Sequence, residues 1–181
     1  MNKVPFNRSY WVIPGKFLAG FYPGSKNQDE QHQKLRALLD HGIRCVISLM
    51  EADEKGWSGK PFESYEDQMG SIAASMSRTV TLERMPIKDT RVPSRVEMCQ
   101  ILDRIDQCIQ NHRPVYIHCF GGRGRTGTVV GCFLARHGIA YNHNVLDHIQ
   151  ELRTLTEDHY IPSPETLEQR EMVLSWGRSR K

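Results

Sequence analysis

The sequence predicts an α/β fold: a single domain with a central, mostly parallel sheet flanked by helices. Three observations carry that expectation. The apolar runs around Cys45–Met50 and Val115–His118 are continuous rather than alternating, which is the pattern of strands buried on both faces. Segments with helical spacing alternate with these strands, as crossover connections in a parallel sheet require. Finally, 181 residues with 39% hydrophobic and 25% charged side chains suffice for one core and scarcely for two. Residues 1–181 are therefore expected to form one domain, with its core over about 17–176.

Two short extended segments open the chain, Tyr10–Ile13 and Phe17–Tyr22, separated by the turn pair Pro14-Gly15. Leu35, Leu38 and Leu39 share one side of a helix over Asp29–His41, with Gly42 as its stop. The strand Cys45–Met50 follows, then a polar loop over Glu51–Lys60 in which Trp57 is read as an anchor folded back on the core. Phe62, Tyr65, Met69, Ile72 and Met76 recur at helical spacing, so Pro61–Met76 is expected to be helical. Thr79–Met85 is a strand ending at Pro86. Ser94 and Glu97 form a capping box opening a helix to about Asn111, with an apolar stripe of Val96, Ile101, Leu102, Ile105, Cys108 and Ile109. The strand Val115–His118, a glycine-rich turn and an apolar helix over Thr126–His137 come next. Asn142–Leu152 is a further helix, and Ser163-Pro164-Glu165 has the composition of the start of a last one ending near Trp176-Gly177.

Lys plus Arg number 24 against 21 Asp plus Glu, a formal charge of +3 that gives no reason to expect a nucleic-acid partner. No apolar run is long enough to span a membrane, and the first residues do not resemble a secretion signal. The 5 cysteines are widely spaced with no Cys-x-x-Cys pair, which argues against a disulfide scaffold or zinc knuckle and for a cytoplasmic location. Cys45, Cys99, Cys108 and Cys132 lie in apolar patterns and read as buried thiols.

Cys119 is different. It follows a buried strand in His118-Cys119-Phe120-Gly121-Gly122-Arg123-Gly124-Arg125-Thr126-Gly127, at the carboxyl end of the strand, where open α/β sheets bind ligands. A tight turn leading into a helix directs backbone amides and the positive helix end at one point, an anion cradle that the glycines allow to close tightly. Arg125 can clamp an oxyanion with two parallel hydrogen bonds. The same field stabilises a thiolate, which ordinarily forms near about pH 8.5. Cys119 is thus a nucleophile placed beneath a phosphate, with the Thr126 hydroxyl placed to assist its departure. An alkoxide or phenoxide leaving group needs a proton, and Asp89, in the proline-fenced loop Pro86–Pro93, is the general acid and then the base.

The pattern Cys119-x5-Arg125-Thr126 resembles the signature of the cysteine-dependent phosphatases, and His118-Cys119-x-x-Gly122-x-x-Arg125-Thr126-Gly127 that of their protein-tyrosine and dual-specificity branch. Pro86-Ile87-x-Asp89 resembles the acid loop of the compact dual-specificity enzymes, and the 30-residue separation from Cys119 agrees. The resemblance implies that the amides of Phe120, Gly121, Gly122, Arg123, Gly124 and Arg125 hold the phosphoryl oxygens, and that His118 tunes the cysteine. It implies no metal and no cofactor. It also implies oxidative inactivation of the nucleophile, with Cys45 as its redox partner. The implied activity is that of a protein-tyrosine/dual-specificity phosphatase acting through a phosphocysteine on a phosphorylated protein or peptide. Phosphoinositide or inositol phosphate hydrolysis is the alternative, and a non-catalytic phosphate-binding module the alternative of another class. The short chain leaves no room for the long phosphotyrosine loop of the larger enzymes, which predicts a shallow cleft. Glu165 and Gln169 stand near the place of their water-positioning glutamine.

Lys88, Arg91 and Arg123 are expected to form a basic substrate rim. Gly122-x-Gly124-x-x-Gly127 also matches a dinucleotide fingerprint, but Asp147, 20 residues further on, falls in a helical stretch where that fold needs a strand end. A triphosphate loop requires Lys at the place of Arg125. His137, His143 and His148 are too irregularly spaced for a metal site.

Overall fold

The computed structural model describes residues 3–56, 58–141 and 144–176. Five strands form one sheet: β1 (Ser9–Ile13), β2 (Phe17–Gly20), β3 (Cys45–Ser48), β4 (Thr81–Arg84) and β5 (Val115–His118), in the order β1-β2-β5-β3-β4. Only β1 runs antiparallel, hairpinned to β2 through Gly15, whose φ of 69° suits the turn. The three other pairings are parallel, so the sheet is mixed but mostly parallel. β2, β3 and β5 are buried at every position, as their continuous apolar composition dictates.

α1 (Gln28–Asp40) and α2 (Glu66–Ser75) pack together on one core cluster, around Leu18, Val46 and Tyr116 of the sheet. α3 (Arg95–Gln110), α4 (Gly124–Arg136), α5 (Asn144–Leu152) and α6 (Leu167–Trp176) contribute to the cluster on the other face, around Phe17, Ile47 and Ile117. α4 is buried from Gly124 to Ala135, with α6 lying so close that a Cβ at Gly131 would stand 2.6 Å from Val173. The capping box at Ser94 and Glu97 forms as expected.

Several boundaries differ from the sequence expectation. α2 begins at Glu66, not Pro61, because the Glu66 carboxylate accepts from Ser64 Oγ and Tyr65 N and turns the chain there. The preceding residues instead form a small loop closed by a bridge between Lys55 and Pro61. α6 begins at Leu167: Ser163 Oγ donates to Arg123 O rather than capping. The capping box is Thr166 with Gln169, whose side chains accept from each other's backbone N–H at 3.2 and 3.1 Å. Val96 and Cys99 are exposed, since Met98 and not Val96 starts the buried stripe of α3. Trp57, the start of the helix expected at Asn142, and Gly177 lie outside the described residues.

The register positions the site. Gly20, His118, Ser48 and Arg84 stand side by side at the carboxyl ends of the parallel strands. The chain leaves them in four loops held together by main-chain bonds: Leu49 N to His118 O, Met85 N to Ser48 O, Ile87 N to Leu49 O, and Tyr22 N to Phe120 O.

Candidate active site

Cys119–Arg123 forms the turn between β5 and α4. Gly122 has φ 72°, and a Cβ there would meet the backbone of Gly20 at 2.6 Å and of Phe21 at 2.7 Å, so both conformation and space demand glycine. At Gly121 a Cβ would make only ordinary contact with the Arg123 side chain. Among the described residues, no protein acceptor pairs with the backbone N–H groups of Phe120, Gly121, Gly122 or Arg123. Four unspent amides ahead of a helix start are the donors of an anion site.

Arg125 is 2% exposed and sits in a dense acceptor shell. Glu54 grips it in two parallel bonds, Oε2 to Nη1 at 2.6 Å and Oε1 to Nη2 at 2.8 Å, while Ile87 O accepts from Nη1 at 3.1 Å. Asp89 Oδ1 lies 3.0 Å from Nη2. Burial opposes the charge on Arg125, but Glu54, the Cys119 sulfur and Asp89 together hold its affinity for the proton above the ordinary value. The Nε–H, also buried, has no partner among the described residues. The guanidinium is therefore fixed along its Nη1–Nη2 edge by Glu54, while along its Nε–Nη2 edge Asp89 meets Nη2 and Nε–H remains a spare donor. Asp89 itself is exposed, at 65% for its side chain.

His118 is fully buried, and burial pushes its pKa down to about 4. Its Nε2 lies 2.7 Å from Tyr65 Oη and its Nδ1 3.2 Å from Cys119 O. Burial pushes the Tyr65 hydroxyl up, so Tyr65 is the donor to Nε2. The tautomer follows: a neutral His118 donates from Nδ1 to Cys119 O, orienting the peptide of Cys119. Thr126 is fully buried, yet its Oγ1 has no hydrogen-bond partner, so the expected bond to the Cys119 thiolate is not formed in this structure.

Other expected residues require correction. Arg123 does not join an open basic rim: it is paired with Glu165 at 2.8 Å and Asp158 at 3.4 Å. Arg91 lies 3.7 Å from Glu168, and among the described residues only Lys88 of the three rim cations is exposed without an ion pair. Cys45 cannot serve as redox partner of Cys119. It pairs in register with Val115, so the two cysteines stand at opposite ends of the sheet, about 13 Å apart along the strand. Its thiol neighbour is Cys108. Gln169 is spent on capping α6 and donates to Arg91 O, while Glu165 is held by Arg123. His137 pairs with Asp106 and His148 with Glu151; His143 lies outside the described residues.

Glu54 and Tyr65 are site residues that the sequence did not mark. They lie 71 and 53 residues from their partners and carry no spacing signal. One wall beside the cradle is aromatic: Phe120 lies 4.7 Å from Phe62 and 5.8 Å from Phe21, ring centre to ring centre, and Tyr22 lies 5.3 Å from Phe62.

Comparison with known proteins agrees with this geometry. The family model described as "Tc-R-P: Polymorphic toxin system, DSP-PTPase phosphatase" matches residues 20–139. Dual specificity protein phosphatase CDC14AB of Danio rerio is 26% identical over 136 residues, which span 70% of this chain and 19% of that protein. The first curated relatives are matched over only 19% to 59% of their own lengths. A kinase associated phosphatase with its catalytic-site cysteine replaced by serine superposes with a TM-score of 0.73, at 17% identity and over 100% of both chains. The structure of PTPMT1 in complex with PI(5)P has a TM-score of 0.67 at 17% identity, covering 95% of this chain and 96% of that one. With the family model spanning the whole stretch from the end of β2 through the cradle and α4, the chain belongs to the DSP-PTPase phosphatase family.

Proposed function

We propose that this chain hydrolyses phosphate monoesters through a phosphocysteine, as a protein-tyrosine/dual-specificity phosphatase acting on a phosphorylated protein or peptide. The observation that carries the reading is the combination of four unspent amides with the buried guanidinium of Arg125, whose Nε–H has no partner among the described residues and whose Nη2 is met by Asp89. An incoming phosphate takes Nε–H and displaces Asp89 from Nη2, while Glu54 keeps the arginine in place. The Cys119 thiolate then attacks phosphorus as the bond to the leaving oxygen breaks, and Asp89 in its acid form protonates that oxygen. In the second step Asp89 takes a proton from water, the resulting hydroxide attacks phosphorus and the thiolate departs. His118 holds the peptide of Cys119, and Thr126 Oγ1 is the buried donor placed to meet developing charge.

The aromatic wall of Phe120, Phe62 and Phe21 favours a phosphotyrosyl ring, while the pairing of Arg123 and Arg91 with carboxylates removes two cations that an inositol polyphosphate would use. Exposed Lys88 is the observation on the side of the phosphoinositide reading. The unpaired thiols suit a reducing compartment such as the cytoplasm.

The test is phosphate release, in EDTA and fresh reductant, from phosphotyrosine peptides, phosphothreonine peptides and soluble phosphoinositides, with Cys119→Ser as the blank. Phosphotyrosine peptides are expected to be turned over fastest. Faster release from inositol lipids would transfer the assignment to them, and oxyanion binding without any turnover would make the chain a phosphate-binding module.

A further inference from the structure

Against the cradle turn lies a second charge cluster that the chemistry above does not use. Asp158, in the connection between α5 and α6, is 7% exposed and faces three arginines. Arg153 Nη2 lies 3.1 Å from Oδ1, and Arg8 Nε and Arg123 Nη1 lie 3.3 and 3.4 Å from Oδ2. Burial would raise the pKa of this carboxyl, but Arg153, Thr156, Arg8 and Arg123 hold it below the usual carboxylate range, so it is ionised at neutral pH. Arg153 is fully buried and donates again to the carbonyls of Asp158 and Ile161, which anchors the connection to the end of α5.

The other two arginines lead to the cradle. Arg123 is a cradle residue whose carbonyl opens α4. Arg8 donates from Nη2 to Gly121 O at 3.1 Å, and its guanidinium stacks 3.9 Å from the Phe21 ring. The carbonyl of Arg8 accepts from Phe21 N, so the segment also braces the backbone against which Gly122 is packed. One buried carboxylate thus holds the turn on either side of Gly122: Gly121 through Arg8, and Arg123 directly.

We propose that Asp158 is a positioning residue for the phosphate cradle: through Arg8 and Arg123 it sets the path of Gly121–Arg123, and so the aim of the amides on the phosphoryl group. The proposal rests on the phosphatase reading of Cys119 and Arg125. If that path is loosened, every oxyanion is held less well, whereas proton delivery by Asp89 is untouched.

The test compares wild type, Asp158→Asn, Arg8→Gln and the double variant by thermal melting, by calorimetric binding of vanadate, and by kcat/KM on aryl phosphates with good and poor leaving groups, all well below Tm. In Asp158→Asn, kcat/KM and vanadate affinity should each fall about tenfold, the scale of one charged hydrogen bond. Arg8→Gln should show a smaller fall in both. The double variant should be little worse than Asp158→Asn, and the ratio between leaving groups should stay as in wild type. Should Asp158→Asn fail to fold, the fall in both quantities in Arg8→Gln decides. A lowered Tm with kcat/KM and vanadate affinity at wild-type values in the folded variants would overturn the proposal and leave Asp158 a purely structural residue. If wild type itself neither turned over substrate nor bound vanadate, the phosphatase reading would fall first and this proposal with it.

Discussion

Cys119, Arg125 and Thr126 are almost inaccessible to solvent, whereas the Asp89 side chain is 65% exposed and Lys88, Thr90 and Arg91 around it are exposed as well. The cradle is fixed from all sides: by β5, by α4, by Gly20 pressed against Gly122, by Glu54 on the guanidinium and by Asp158 on Arg123. The Asp89 loop is tied through its backbone by Ile87, Thr90 and Arg91, but the Asp89 side chain itself is held by an ion pair to Arg125 at an exposed surface. The contrast suits the two tasks that the proposed mechanism assigns. Groups that stabilise charge on a transferring phosphoryl must be in position before reaction, since reorganising them costs barrier height. A group that gives a proton to a leaving oxygen and then takes one from water must reach both, and must release Arg125 to the phosphate.

The sharpest break of the comparison is the nucleophile. Cys119→Ser should reduce phosphate release to the background while vanadate or phosphate binding persists, because the cradle remains; retained turnover in purified variant would remove Cys119 from the mechanism. Next come the two neighbouring glycines. Gly122→Ala must push a methyl into the backbone of Gly20 at a left-handed φ, so it should lose oxyanion binding and about 2–3 kcal/mol of stability. Gly121→Ala has space, and should stay within about 1 kcal/mol of wild type in denaturant melts. Equal effects at the two positions would contradict the geometry of the turn.

Asp89→Asn, on the exposed side, should slow hydrolysis of esters with poor leaving groups about 100-fold and activated aryl phosphates much less, with little change in Tm. Equal losses on both ester types would move the acid elsewhere. The smallest effects on turnover concern the support beneath the cradle, where the change is read in stability. Because native His118 stays neutral while the unfolded residue titrates at 6.5, the unfolded chain binds a proton the native one refuses as pH falls from 6.5 to about 4. Stability should drop over that window by about 3 kcal/mol, and His118→Gln should lack this component in melts compared across pH. Tyr65→Phe should cost about 1–2 kcal/mol through the orphaned His118 Nε2 and leave the leaving-group dependence unchanged.

The proposed nucleophile, clamp and acid could be singled out in the sequence because the chemistry proposed for them is written in contiguous residues: glycine-rich turn, arginine at a fixed step, aspartate between prolines. Capping at Ser94 was legible for the same reason. What failed was local pattern without its tertiary partner. Helical spacing over Phe62 and Tyr65 overran the true start of α2, because those rings pack on Tyr22, Phe120 and His118 from a loop and from a helix cap. Ser163-Pro164 looks like a helix start in isolation, but Ser163 is drawn to Arg123 O. Cys45 follows Cys119 in family-based expectation, yet strand register places it at the far end of the sheet.

By itself, then, the sequence determined the alternation of buried strands and helices and the linear motif from His118 to Gly127, since both are encoded in contiguous residues. Only the tertiary structure decided that Glu54 holds Arg125, that Tyr65 sets the tautomer of His118, that Arg123 is turned toward Glu165 and that Asp158 joins Arg8 and Arg153 against the cradle turn. These partners are brought together by parallel strand register and by burial. An ion pair or hydrogen bond between residues remote in the chain leaves no periodicity or spacing along it.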